Sequence, residues 1–312
     1  MKLWQPDNGP NLYLLALAPV AVILELDLAA TAAALVAGLA WKWVTIQRRL
    51  AAGRAGGKRL SLETIAASPY VEKVRWCLDR LGLDYREEVS VGILGAIFLG
   101  RSVPRLRIGT GLGSSVIGDS PDILRLLWGQ HSQEAAAAFL NPTPAAVTLE
   151  GRIDAYGNDA RRWLYHRALP HREFTLRLWG RYDPTLPAWQ RGLLSLCYPL
   201  VTGFLRRALG VSADKTRRSV EKLEIFLDEI EQRLADSPEG LLGDQRSYVD
   251  YAFAAHSCLW MPCPGYGGGR ARDYLPPVDA WPRDIAQETE ARRVRYPRVA
   301  AFVERLYASE RG

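Results

Sequence analysis

The sequence predicts an α/β unit followed by an all-α domain, with a membrane-embedded helix or hairpin in front of both. Three observations carry this expectation. An almost unbroken apolar stretch lies near the N-terminus. Strand-like and helix-like apolar periods alternate between residues 58 and 130. Beyond about Pro144 the period is helical only.

The apolar stretch runs from Leu12 to Ile46, with Glu25 and Asp27 as its only acids. As one helix it would be roughly 50 Å long, against a hydrocarbon core of about 30 Å. The two acids and Pro19 divide it into Leu12–Leu24 and Leu28–Ile46. The second piece has the length of one crossing. It ends in Trp41 and Trp43, followed by Arg48 and Arg49, the order of an aromatic belt and a cytoplasmic basic flank. Two arrangements follow. Either a hairpin, which we prefer, puts Glu25 and Asp27 near the far headgroups, or one span follows an interfacial helix. A cleaved signal peptide fits less well, because the leading residues hold one lysine and two prolines and the apolar run is too long. A buried core helix is the remaining alternative.

Charge agrees with this placement. The formal net charge is +6, and Lys42, Arg48, Arg49, Arg54, Lys58 and Arg59 account for it with no acid among them. The rest is nearly balanced, which argues against a nucleic-acid surface and favours a cytoplasmic, anionic bilayer face. Cys77, Cys197, Cys258 and Cys263 follow no zinc or redox spacing and read as buried free thiols. His131, His166, His171 and His256 have no metal spacing, so no metal site is expected.

Each soluble element has its own signal. Ala51–Gly57 reads as a linker and Lys58–Thr64 as a strand. Ser68-Pro69 opens a helix, with Ser as N-cap and Pro at the first turn. Val71, Val74, Leu78 and Leu81 follow at helical spacing, and Gly82 closes it. Asp84–Val91, Val103–Ile108 and Ser115–Ile117 read as strands, with a turn over Gly109–Gly113. Asp119-Ser120-Pro121 starts a helix through Trp128. The resulting β-α-β-β-β-α order has the size of a thioredoxin-like domain. Downstream, Val220, Leu223, Leu227, Ile230 and Leu234 form the core stripe of a bundle helix. Ser247 to Asp250 has the form of a capping box, ahead of apolar Tyr251–Trp260. Val299, Phe302, Val303 and Leu306 mark the last helix. The expected division is an anchor over 1–50, a linker over 51–57, a thioredoxin-like domain over 58–130 and a helical domain over 131–312.

Several of these segments, in this order, resemble the glutathione transferase superfamily. The run from Ser68 to Tyr85 is similar to the family's first helix and second strand. Val103-Pro104 resembles its cis-proline dipeptide, and Asp119-Ser120 the acid-serine pair opening its third helix. Leu242 to Asp250 resembles the capping box of its buried C-terminal-domain helix, and Tyr296-Pro297 through Arg305 its final helix. Two positions depart from the family pattern: Val71 stands where cysteine is frequent, and Asp119 replaces glutamate.

The resemblance implies glutathione as co-substrate and Ser68 as the catalytic residue, its hydroxyl and the helix amides lowering the thiol pKa. It implies that Val103 and Pro104 pair with the peptide backbone. Ser120 and the amides after it would receive the γ-glutamyl carboxylate, while Asp119 meets the ammonium. Each residue also has a plain structural reading: N-cap for Ser68, turn for Pro104, helix cap for Asp119 and Ser120. A small apolar electrophile would sit between the domains, near Trp163, Tyr165, Trp260 or Met261, any of which could equally be core. Ser247 and Asp250 read as structural. Dimerisation is common in the family. The resemblance leaves two functions open: a membrane-associated glutathione transferase, or a non-catalytic protein using the fold for interaction or membrane organisation. A glutaredoxin-like thiol transferase is disfavoured, since no cysteine stands at Ser68 or Val71.

Overall fold

The structure is a computed structural model that describes residues 9–25, 27–52, 59–89, 103–110, 113–184, 186, 188–268 and 275–311. The chain opens with two helices, α1 (Gly9–Ile23) and α2 (Leu28–Ala52), packed against each other as a hairpin. Their contact is local and specific: the Tyr13 hydroxyl donates to the Ala34 carbonyl at 3.0 Å, and the Tyr13 ring meets Trp41 edge-on at 6.2 Å. Gly38 lets the helices approach, since a Cβ there would lie 2.7 Å from Tyr13 and Leu14 side-chain atoms. Glu25, with φ of 50°, and Asp27 occupy the reversal, where Asp27 accepts from the Ala30 N–H at 2.7 Å. Among the described residues one helix, over Leu28–Arg48, is long and apolar enough to cross a membrane. Most of it is exposed. The exception near its end is a short segment where α2 packs on the sheet: Thr45 is buried, and Ile46 and Gln47 are half-buried. Residues 51 and 52 of the expected linker belong to α2; the rest of that linker lies outside the described residues.

The sheet contains β1 (Arg59–Thr64), β2 (Tyr85–Val89), β3 (Arg105–Thr110) and β4 (Gly113–Gly118), in the order β2-β1-β3-β4. The β1–β2 pair is parallel and the other two pairs are antiparallel. Helix α3 (Pro69–Arg80) joins the parallel pair, and α4 (Ser120–His131) follows β4. This is the expected β-α-β-β-β-α order. Strands β3 and β4 run further towards each other than the expected Gly109–Gly113 turn, with the ladder paired as far as Thr110 and Gly113. Leu60, Leu62, Leu106 and Ile108 fill one face of the sheet against Val71, Val74, Leu78, Ile123, Leu124 and Leu127. Helix α3 ends in a Schellman motif. Leu83 N–H donates to Leu78 at 3.0 Å and Gly82 N–H to Asp79 at 2.9 Å, with Gly82 at φ 64°.

The rest is helical: α5 (Pro144–Ala168), α6 (Arg172–Leu178), α7 (Ala188–Leu196), α8 (Tyr198–Ala208), α9 (Ala213–Asp236), α10 (Tyr248–Ser257), α11 (Arg283–Arg295) and α12 (Pro297–Glu310). The centre is α10, every residue of which is buried. It packs on α3, α5 and α12 and so joins the helical region to the sheet unit. The box at its start is centred on Asp250, whose carboxylate accepts from Ser247 N–H (2.7 Å), Ser247 Oγ (3.0 Å) and Leu241 N–H (2.7 Å). Leu223, Leu227, Ile230 and Leu234 are buried in the bundle, as their spacing predicts.

A buried ion-pair chain ties the C-terminus to α3. Glu72 binds Arg75 at 2.7 Å and Arg311 at 2.9 Å. Arg75 also binds Glu87 at 2.7 Å, and Arg311 binds Asp79 at 2.6 Å. Burial alone would raise the Glu72 carboxyl, but Arg311 and Arg75 hold it below its ordinary value.

Candidate functional site

Strand register brings the sequence-predicted residues to one end of the sheet. Glu63 pairs with Arg105, and Arg105 with Gly118. Thr64, Pro104 and Asp119 are each one residue further on, so they occupy one row across β1, β3 and β4. Neighbouring strands are about 4.8 Å apart, so this row is about 10 Å wide, a tripeptide's reach. Ser68 stands four residues beyond Thr64, at the head of α3.

Each member is held by its own local structure. Ser68 is the N-cap of α3, half-buried, and its hydroxyl accepts from the Val71 N–H at 3.4 Å. The preceding turn is closed by Ser68 N–H on Ile65 at 3.0 Å. The Val103–Pro104 bond is cis, with Pro104 buried and Val103 half-buried. Asp119 has φ of 68°, a left-handed conformation that costs a non-glycine residue about 1–3 kcal/mol. Its Oδ1 accepts from the Ser120 N–H at 2.7 Å, leaving the exposed carboxylate at the start of α4. Ser120 is fully buried, and its hydroxyl has no partner among the described residues. Such a group costs about 1–3 kcal/mol when left unsatisfied.

Tyr70, in the first turn of α3, links this row to the helical region. Its hydroxyl donates to Asn158 Oδ1 at 3.1 Å, and its ring meets His256 edge-on at 4.7 Å. Burial pushes its pKa up to about 12, against the charge of Arg161 and helped by Asp154 and Asp119, so Tyr70 is a neutral donor. Beneath it, fully buried Lys73 binds Glu150 at 3.3 Å and Asp154 at 3.1 Å. His256 Nε2 lies 3.3 Å from Asp154, off hydrogen-bond geometry. Burial holds the His256 pKa below its ordinary value, with Lys73 and Arg161 adding to the effect and Asp154 opposing it. The other histidines are peripheral: His131 pairs with Glu134 and His171 with Asp284. Among the described residues no three His, Cys, Asp or Glu side chains could hold a metal.

A cavity of about 430 Å³ opens beside Ala67, the residue before Ser68. Its wall is apolar, formed by Leu164, Leu178, Leu259, Pro262 and Trp281 among others, with Cys258, Cys263 and Tyr266 on one side and Arg177 as its cation. The Tyr266 hydroxyl donates to the Ala67 carbonyl at 3.0 Å, so the loop after α10 fastens the cavity to the Ser68 turn. None of Trp163, Tyr165, Trp260 and Met261 lines it. Trp163, Trp260 and Met261 are core, and Tyr165 packs against that core. The wall instead comes from the Cys258–Tyr266 and Leu275–Trp281 segments, whose short Pro- and Gly-rich runs have no periodic signal.

Residues 62–135 match the family model of the glutathione S-transferase N-terminal domain. That match supports the glutathione S-transferase superfamily, and the four-stranded mixed sheet with its helical C-terminal region fits the fold. Among solved structures, the chain is similar to a glutathione S-transferase from Methylobacterium radiotolerans in complex with glutathione sulfonate. Identity there is 19%, covering 81% of this chain and 94% of that one, with a TM-score of 0.44. It is also similar to glutathione transferase F7 from Populus trichocarpa, at 14% identity, 81% and 99% coverage and a TM-score of 0.46. FzlA from C. crescentus gives 20%, 78% and 91%, with a TM-score of 0.37. A comparison with curated proteins finds no match.

Proposed function

We propose that the protein is a membrane-associated glutathione transferase-like enzyme that uses a Ser68-activated glutathione thiolate on a small apolar electrophile. The observation that carries this reading is the row of Thr64, Pro104 and Asp119, followed by Ser120, whose fully buried hydroxyl has no partner among the described residues. A carboxylate bound there would satisfy the Ser120 hydroxyl and face the amides of α4. Asp119 would receive the peptide's ammonium, and Val103 would offer its backbone groups to the middle of the peptide. The thiol would then lie over the N-terminus of α3, where Ser68 donates to the thiolate and the helix amides stabilise its charge. The thiolate sulfur attacks an electrophilic carbon held in the apolar cavity, and the leaving group departs with the carbon's former bonding pair.

The thioredoxin-like part is assigned to residues 58–130 and the helical part to 131–312. The α1–α2 hairpin is read as the bilayer anchor, with Arg48 and Arg49 at the cytoplasmic face. Its exposed apolar surface and the charged turn at Glu25 and Asp27 support that reading.

The test uses full-length protein in vesicles: calorimetric titration with glutathione, and turnover of a generic aryl halide. Binding with turnover supports the enzyme. Absence of both moves the protein to the non-catalytic reading, a transferase fold used for interaction or membrane organisation.

A further inference from the structure

Helices α7 and α8 carry an apolar stripe that the bundle does not bury. Leu193, Leu196, Leu200 and Phe204 are 38%, 79%, 72% and 46% exposed. Their spacing of 3, 4 and 4 residues places them on one face at 3.6 residues per turn. The adjoining face is occupied by Gln190, Leu194, Tyr198, Val201 and Leu205, all buried. The two helices act as one bent rod. Cys197 N–H donates to Leu193 at 2.8 Å and Val201 N–H to Cys197 at 2.9 Å, so helical bonding continues on both sides of the bend. Pro199 has no N–H for the Ser195 carbonyl, and the Arg172 guanidinium donates there instead at 2.9 Å.

Charge identifies what covers this face. Between Asp183 and Asp214 the chain has no acid, while Arg191, Arg206 and Arg207 stand along the rod. Arg206 and Arg207 are exposed, and none of the three guanidinium groups forms an ion pair among the described residues. Trp189 stands at one end of the stripe and Arg207 at the other. An apolar face that ends in Arg207, has Arg206 beside it and is free of acids complements an anionic lipid surface, in which such a helix lies in the plane with its apolar side buried about 5–10 Å. A partner docked on the stripe would meet Arg206 and Arg207 and no anion, whereas anionic headgroups surround any helix lying among them.

We infer that α7–α8 is a second, in-plane lipid contact, which holds the helical region against the anionic surface that the α1–α2 hairpin enters. The inference rests on the membrane reading of the hairpin, and its test separates the two. Cys77, Cys258 and Cys263 are buried, so a Leu196→Cys chain with Cys197→Ser takes one environment-sensitive fluorophore on the stripe. Leu200→Cys in the same background repeats the reading, and Ile225→Cys on exposed α9 serves as control. The labelled full-length chains are inserted into vesicles of equimolar phosphatidylcholine and phosphatidylglycerol that contain nitroxide-bearing lipid. We expect blue-shifted emission and nitroxide quenching at positions 196 and 200, water-like emission at 225, and loss of quenching in phosphatidylcholine alone. If the chain floats with the vesicles while 196 and 200 remain water-like, this inference fails and the hairpin reading stands. A blue shift without lipid quenching means that a second copy covers the stripe, and also overturns it. Equal quenching in phosphatidylcholine alone removes the role of the arginines and the proposal with it. If the full chain does not float with vesicles, both readings fall.

Discussion

Replacing Ser120 by alanine separates a ligand site from a helix start, because the two readings predict different responses. The Ser120 hydroxyl is fully buried and has no partner among the described residues, and Asp119 rather than Ser120 caps the helix. Removing it from the free protein takes away an unsatisfied polar group, so folding stability should stay level or rise by about 1 kcal/mol. With glutathione bound, the same change removes a hydrogen bond to a carboxylate. Such a bond contributes about 1.5–3 kcal/mol, which is about a ten- to 140-fold loss of affinity. The assay pairs chemical denaturation of the free variant with calorimetric titration of glutathione into wild type and variant. An unchanged affinity would refute the site reading. A large loss of stability would refute the premise that the hydroxyl lacks a partner.

Three further changes test other parts of the structure. Ser68→Ala should reduce turnover of an aryl halide by about ten- to 100-fold near neutral pH and raise the pKa of bound glutathione. Affinity should change less, because the peptide's other end is held at Val103, Asp119 and Ser120; equal rates in the two proteins would leave Ser68 only as an N-cap. Gly157→Ala places a Cβ 2.1 Å from His256 Nδ1, and His256 is itself backed by Tyr70, so overpacking should destabilise the fold by about 1–3 kcal/mol in denaturant melts. An ordinary helix glycine would instead gain roughly 1 kcal/mol from this substitution. Because the Glu72 carboxyl lies below its ordinary value of 4.5 in the folded protein, its stabilisation is present above about 4.5 and is lost as pH falls through the lower folded value. Glu72→Gln should therefore flatten acid unfolding in that window and cost about 3–5 kcal/mol above it, read from melting curves at stepped pH.

Much of this architecture is determined locally, which is why the sequence by itself determined it. The Ser68-Pro69 helix start and the Gly82 stop depend on backbone groups within a few residues. So does the Asp250 box, apart from its bond to Leu241. The core stripe of α9 follows from a period alone. The hairpin's two helices also follow from composition, interrupted at Glu25 and Asp27. The row that gathers Thr64, Pro104 and Asp119 is different. It depends on the register of β3 against β1 and β4, which pairs residues more than 40 positions apart in the case of Glu63 and Arg105. The resemblance named Pro104, Asp119 and Ser120, but no local pattern could show that Ser120 ends buried without a partner among the described residues.

The cavity depended on tertiary structure still more. Its wall comes largely from loops that have no periodicity, and the residues the sequence offered for it lie in the core or, for Tyr165, against it. The exposed stripe on α7–α8 was hidden for a related reason. Amphipathic spacing shows that a helix has an apolar face, but only the packed bundle decides which apolar residues it covers. Here the bundle covers Leu194, Tyr198 and Val201, and it leaves Leu196 and Leu200 in solvent.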